Sequence, residues 1–222
     1  MAELYPVFLS LAGRPCLVVG GGAVAERKIG GLLPAGARIT VVAPSITEGL
    51  RALAEQGEIA WSARKFEPGD LEGVDLAFVA TSDPEANARA VTEARARRVW
   101  VNAAHSPEAC DFQVPAVLRR GRAAVAVSTA GASPVVAAWL RDRIAGALPE
   151  ATADLLELSE VLRGRKSAGG KEAETLRSLL DSGLLDDLSA AREDEVARKV
   201  SFLFGEVPEV QRLLRRRSTE AP

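Results

Sequence analysis

The sequence predicts an α/β chain in which a doubly wound parallel sheet is followed by a central segment and a small helical domain. Three observations predict it. Short β-branched runs at 16–19, 38–43, 76–80 and 99–101 alternate with stretches of helical periodicity. A glycine-rich turn joins the first of these runs to the first helix. Beyond residue 150 no strand pattern survives, and apolar residues recur only at helical spacing.

Taken in order, Cys16-Leu17-Val18-Val19 reads as a strand buried on both faces, since it shows no polar alternation. Val24, Ile29, Leu32 and Leu33 then form a helical stripe that stops at Ala35-Gly36-Ala37. A second strand over 38–43, a helix over 46–55 and a short strand at Ile59-Ala60-Trp61 follow. Strand 76–80, helix 84–97 and strand 99–101 complete the alternation, which right-handed crossovers turn into a parallel sheet. Past Pro115 a strand is expected over 123–128, then a turn. Ser133-Pro134 starts a helix, with Ser as N-cap and Pro at its first position, running to about residue 148. Helical stretches at 155–162, 176–180, 196–204 and 210–214 make up the tail, with 166–171 as a loop and Arg215-Arg216-Arg217 as a fraying end. The expected domains are 1–115, 116–149 and 150–222.

Composition narrows the function. The 222 residues, 47% apolar and 26% charged, can bury a core without disulfides or a structural metal. Lys plus Arg number 28 against 30 for Asp plus Glu, and neither half of the chain is strongly basic, which argues against a nucleic-acid partner. No apolar run approaches the roughly 20 residues of a membrane span, and residues 1–6 lack the pattern of a signal peptide. Two cysteines without CxxC spacing fit a reducing compartment, so a cytoplasmic location is expected, and a single His argues against a zinc site.

Gly20, Gly22 and Ala25 form GxGxxA between a strand and a helix. The first glycine permits the tight turn, the second lets a pyrophosphate approach bare backbone, and the small Ala25 lets helix pack on strand. In that context the motif predicts dinucleotide binding in a Rossmann domain. The acidic residue that usually ends the second strand and holds the ribose hydroxyls is replaced by Ala43-Pro44-Ser45, which leaves NAD and NADP both open. Thr81-Ser82-Asp83 and Asn102 follow later strands, where parallel sheets place ligand-contacting loops. Ser82-Asp83-Pro84 reads equally well as a helix cap.

The segments Tyr5-Pro6-Val7-Phe8-Leu9, Val18 through Lys28, Ala80-Thr81-Ser82-Asp83, 102–115 and Val127-Ser128-Thr129-Ala130-Gly131-Ala132-Ser133-Pro134 together resemble the precorrin-2 dehydrogenase/sirohydrochlorin ferrochelatase family, which also forms the N-terminal region of siroheme synthases. The likeness runs in order through the first two thirds of the chain, and without a methyltransferase module the sequence resembles the family's stand-alone form. It implies NAD-dependent dehydrogenation of precorrin-2, a tetrapyrrole, to sirohydrochlorin, with iron insertion in bifunctional members. It further implies that Gly22, Ala23 and Val24 line the pyrophosphate, Pro44 and Ser45 the adenosine, and Thr81 and Asn102 the nicotinamide. A central segment exchanging contacts across a homodimer is implied as well. A Rossmann domain that senses NAD without catalysis is the competing reading, and it would need only the glycine loop.

For a polycarboxylated substrate, Ser128, Thr129 and Ser133 beside a helix start are the expected carboxylate contacts. Arg119, Arg120 and Arg122 are either further contacts or a solvated turn between strands. Where the family resembles an Asn, two small residues and an acid/base Asp, this chain has Asn102-Ala103-Ala104-His105. An imidazole titrates near neutrality, so His105 is the expected catalytic base, with Asp111 in reserve and a surface loop as the bland alternative. With no carboxylate at that position, weak or absent iron insertion is expected.

Overall fold

A computed structural model describes residues 3–165 and 172–220, and the chain divides into two compact units, residues 1–114 and 115–222. The loop expected over 166–171 lies outside the described residues. The segment expected as a separate central domain falls within the second unit.

The first unit is built on five parallel strands in the order β3-β2-β1-β4-β5, namely β1 (Pro15–Val19), β2 (Arg38–Val42), β3 (Ala60–Ser62), β4 (Leu76–Val79) and β5 (Trp100–Ala103). Helices α1 (Ala23–Leu32), α2 (Glu48–Glu55) and α3 (Pro84–Ala96) connect them. β1 lies at the centre and alternates its side chains between two cores. Cys16 and Val18 pack with Ile29, Leu50 and Phe78 on one face, while Leu17 and Val19 pack with Phe66, Ala90 and Ala94 on the other. This two-sided burial is why β1 reads as an unbroken apolar run. Burial, helped by nearby Asp75, pushes the Cys16 thiol up to about 11, so the group behaves as a small apolar side chain.

Several boundaries differ from the expected ones by a residue or two, and three of them bear on the site. α2 begins at Glu48 and not at 46, because the Thr47 hydroxyl accepts the Leu50 N–H (3.3 Å) and fixes the cap there. β4 stops at Val79, and Ala80 already belongs to the turn that leads to α3. β5 extends to Ala103, which makes Asn102 a sheet residue and not the first residue of a loop.

In the second unit, β6 (Ala116–Arg120) and β7 (Ala123–Val127) form an antiparallel hairpin that turns at Gly121, and α4 (Pro134–Ala147) packs on both. Arg119 and Arg120 end β6, so of the expected basic turn only Arg122 sits in the hairpin loop. The Ser133 hydroxyl caps α4 by accepting the Val136 N–H (3.2 Å), as the Ser-Pro pair predicts. Helices α5 (Thr152–Leu162), α6 (Glu172–Asp181), α7 (Leu184–Ser189), α8 (Glu193–Phe204) and α9 (Pro208–Glu220) follow around a core that includes Leu158, Leu179, Leu188, Val200 and Val210. α9 runs through the three arginines that were expected to fray. Among the described residues, no helix is long and apolar enough to cross a membrane.

Candidate functional site

The glycine turn after β1 is held from both sides by backbone. Gly20 has φ +123, and a Cβ on it would fall 2.3 Å from the Ala80 carbonyl oxygen. Gly21 is equally confined, by the carbonyl oxygen of Ser45. At Gly22, the extended N-cap of α1, an added Cβ would meet nothing within 4 Å. Ala25 is fully buried where α1 meets the sheet. The motif's first glycine and its alanine therefore serve the fold, and its second glycine faces open space.

That space is a cavity of about 700 Å³ at the carboxyl ends of the strands, where the order reverses between β1 and β4. Gly20, Gly22, Ala23, Val24, Pro44, Ser45, Thr81, Ser82 and His105 all line it. A second cavity of about 580 Å³, between α3 and the loop after β5, shares Thr81, Ser82 and His105 with the first. His105 is exposed on the wall common to both. Lys65 also lines the larger cavity, and sequence reasoning missed it because the β3–β4 connection carries no periodic signal.

Several polar groups here build the site's walls. The Thr81 hydroxyl donates to Asn87 Oδ1 (2.8 Å), and Asn87 Nδ2 donates back to the Thr81 carbonyl (3.0 Å). Asp83 caps α3, accepting the Glu85 and Ala86 N–H groups at 3.0 and 3.1 Å, and these bonds hold its carboxyl below the usual carboxylate range. The cap that the sequence offered as an alternative is thus present, and Ser82 beside it still reaches the cavity.

Asn102 does not line this cavity. It is 7% exposed and turned into the fold, where Nδ2 donates to the Phe112 carbonyl (2.9 Å) and Oδ1 accepts from Lys28 Nζ (2.9 Å). Burial, more than the neighbouring Arg27, lowers the pKa of Lys28. Asp111 is also outside the lining, because its Oδ2 accepts the Val101 N–H (2.9 Å).

Ser128, Thr129 and Ser133 lie in the second unit, around the turn that starts α4. Their hydroxyls brace that turn. Ser128 Oγ accepts the Ala130 N–H at 3.1 Å, and Thr129 Oγ1 accepts the Ser133 N–H at 3.1 Å. Of the basic residues nearby, Arg120 pairs with Glu150 and bonds the Leu148 carbonyl, and Arg122 pairs with Glu160. Arg119 is exposed.

The larger cavity suits a dinucleotide. The first-turn N–H groups of α1 have no acceptor within their helix, the helix N-terminus is partially positive, and bare Gly22 lets an anion come close. Comparison with known proteins agrees with this geometry. Residues 7–116 match the family model described as "Putative NAD(P)-binding", and residues 120–147 match that described as "Sirohaem biosynthesis protein central". The siroheme synthase of Methylococcus capsulatus is 46% identical over 163 residues, covering 73% of this chain and 34% of that protein. The siroheme synthase of Methylobacillus flagellatus is 38% identical over 200 residues, covering 88% and 43%. A solved structure of SirC, precorrin-2 dehydrogenase, superposes with a TM-score of 0.75 at 30% identity and covers 89% of this chain and 99% of its own. The chain belongs to the precorrin-2 dehydrogenase family.

Membership in that family accounts for both units. The first unit is its NAD(P)-binding domain, and the hairpin with α4 corresponds to its central region. The chain spans less than half the length of the two siroheme synthases.

Proposed function

We propose that this chain is an NAD-dependent precorrin-2 dehydrogenase, converting precorrin-2 to sirohydrochlorin in siroheme biosynthesis. The observation that carries the reading is the placement of His105 on the wall of the glycine-floored cavity, with a second cavity sharing that wall. NAD, when bound, supplies the hydride acceptor. Gly22, Ala23 and Val24 would hold its pyrophosphate over the turn made at Gly20, Pro44 and Ser45 would flank its adenosine, and Thr81 and Ser82 would border its nicotinamide. Lys65, exposed on the same cavity lining, would add positive charge to the site.

Dehydrogenation removes a hydride and a proton, and the protein has to handle the proton. An imidazole on the exposed cavity wall can take it from the macrocycle and release it to water, so His105 acts as the base. Asp111 is less suited, since its carboxylate is committed to the β5 backbone. Ser128, Thr129 and Ser133 offer hydroxyls to the substrate's carboxylates. Iron insertion is weak or absent, because no carboxylate stands in the position of His105.

Homodimerisation through α4 accompanies this reading. Val135 and Trp139 are 78% and 57% exposed on that helix, and Val136 beside them is exposed too. Cys16 and Cys110 are both free thiols, in keeping with a cytoplasmic location. The deciding experiment incubates purified protein with precorrin-2 and NAD and follows NADH absorbance, with sirohydrochlorin identified by its spectrum. Stoichiometric NADH is expected. Tight NAD binding with no reduction would make the chain a sensor instead.

A further inference from the structure

Lys28 lies one and a half turns into α1 and does not line the nucleotide cavity. Its amine is half-buried, and among the described residues no carboxylate pairs with it. It donates to Asn102 Oδ1 at 2.9 Å and stands 5.8 Å from the centre of the Phe78 ring. An ammonium withdrawn from water without a counter-ion is costly, and an apolar side chain of similar length would fill the same space. The charge is better explained by what it holds.

What it holds is the base of the His105 loop. Asn102, the acceptor, donates from its other amide atom to the Phe112 carbonyl (2.9 Å), joining the two ends of residues 102–112. Cys110 Sγ closes the loop further, accepting the Ala103 N–H (3.2 Å) and donating to the Ala103 carbonyl (3.3 Å). Asp111 completes the closure, as its N–H donates to the Val101 carbonyl at 2.8 Å. Residues 104–109, with His105 among them, are therefore a loop with a clamped base, and Lys28 ties the clamp to α1, the helix whose N-terminus faces the cavity.

We propose that Lys28 is a positioning residue: through Asn102 it fixes the His105 loop against the nucleotide-binding helix, setting the base relative to the cofactor. The proposal rests on the reading of His105 as base, and the test separates the two. Lys28→Met keeps most of the side chain's length and removes its donors, and Lys28→Arg restores charge and donor. Amide hydrogen exchange of residues 104–109 is measured alongside NAD affinity, kcat and KM. In Lys28→Met we expect at least tenfold faster exchange in that loop, unchanged exchange in β1 and β4, NAD affinity within twofold of wild type, and kcat reduced about tenfold with KM little changed. Lys28→Arg should recover part of both losses. Unchanged loop exchange in Lys28→Met overturns the proposal, as does faster exchange spread through the whole first unit, which would mark a general packing role. If loop exchange rises as expected while His105→Ala turns over normally, Lys28 still positions the loop, and it is the assignment of the base that fails.

Discussion

Gly21 sits against Ser45 so closely that a Cβ on Gly21 would fall 2.1 Å from the Ser45 carbonyl oxygen, while the Gly21 carbonyl accepts the Thr47 N–H at 2.9 Å. The glycine turn and the loop expected to flank the adenosine thus support one another through backbone. Gly21 carried no part of the GxGxxA reading, yet it is as confined as Gly20.

This contrast gives a paired prediction. Gly21→Ala should destabilise the first unit by about 1–3 kcal/mol, the usual cost of overpacking, because the obstructing atoms are backbone. Gly22→Asp, directed into open space, should leave chemical denaturation unchanged and abolish the thermal shift produced by NAD, since its carboxylate would occupy and repel the pyrophosphate. A persisting NAD shift in Gly22→Asp would remove the phosphate site from this turn.

The base assignment predicts a different pair. His105→Ala should lower kcat by about 100-fold or more, the usual contribution of a positioned base, with NAD affinity intact. Asp111→Ala should cost stability through the lost Val101 bond and only modestly affect turnover. Normal turnover in His105→Ala with collapse in Asp111→Ala would transfer the role. Iron insertion assayed on the same wild-type preparation should proceed slowly or not at all.

Acid should open the second unit through Asp187. This carboxylate is buried between α7 and α8, with Oδ1 accepting from Arg192 Nε (2.9 Å) and Nη2 (2.7 Å) and Oδ2 from Lys199 Nζ. The Lys199 and Arg192 bonds hold its pKa below the usual carboxylate value. A group depressed in the folded state contributes stability fully above its unfolded pKa of about 4, and that contribution is lost as pH falls through the folded value. Urea midpoints followed by the helical circular dichroism signal should therefore drop below about pH 4 in the wild type. Asp187→Asn should be weaker at neutral pH and show a shallower acid slope.

Trp139→Glu and Val135→Glu should convert a dimer into monomers in sedimentation at micromolar concentration, because each places a charge on the exposed apolar face of α4. A wild-type protein that is already monomeric would dispose of the dimer.

Much of this was legible from residue order. A strand buried on both faces announces itself as an unbroken apolar run, and a glycine turn between strand and helix has few structural alternatives. The same two-sided burial hid the direction of Asn102. In a four-residue strand whose neighbours Val101 and Ala103 are both buried, alternation does not say which face an amide takes, and only the Lys28 bond reveals it. α7 went unread because six residues are too few to establish a helical period. Lys65 was hidden by an irregular connection, and the extent of β6 by arginines that read as turn.

The floor of the nucleotide cavity at Gly20 and Gly21 is peptide pressed on peptide, so no side chain can be introduced there without displacing main chain. Redesign of cofactor preference is consequently confined to the rim. Ser45 and Lys65, both exposed on the cavity lining, are rim positions that can be varied while the floor stays as it is. A library that randomised the glycines would chiefly return unfolded protein, and one that randomised those two rim positions would explore selectivity at little cost to the fold.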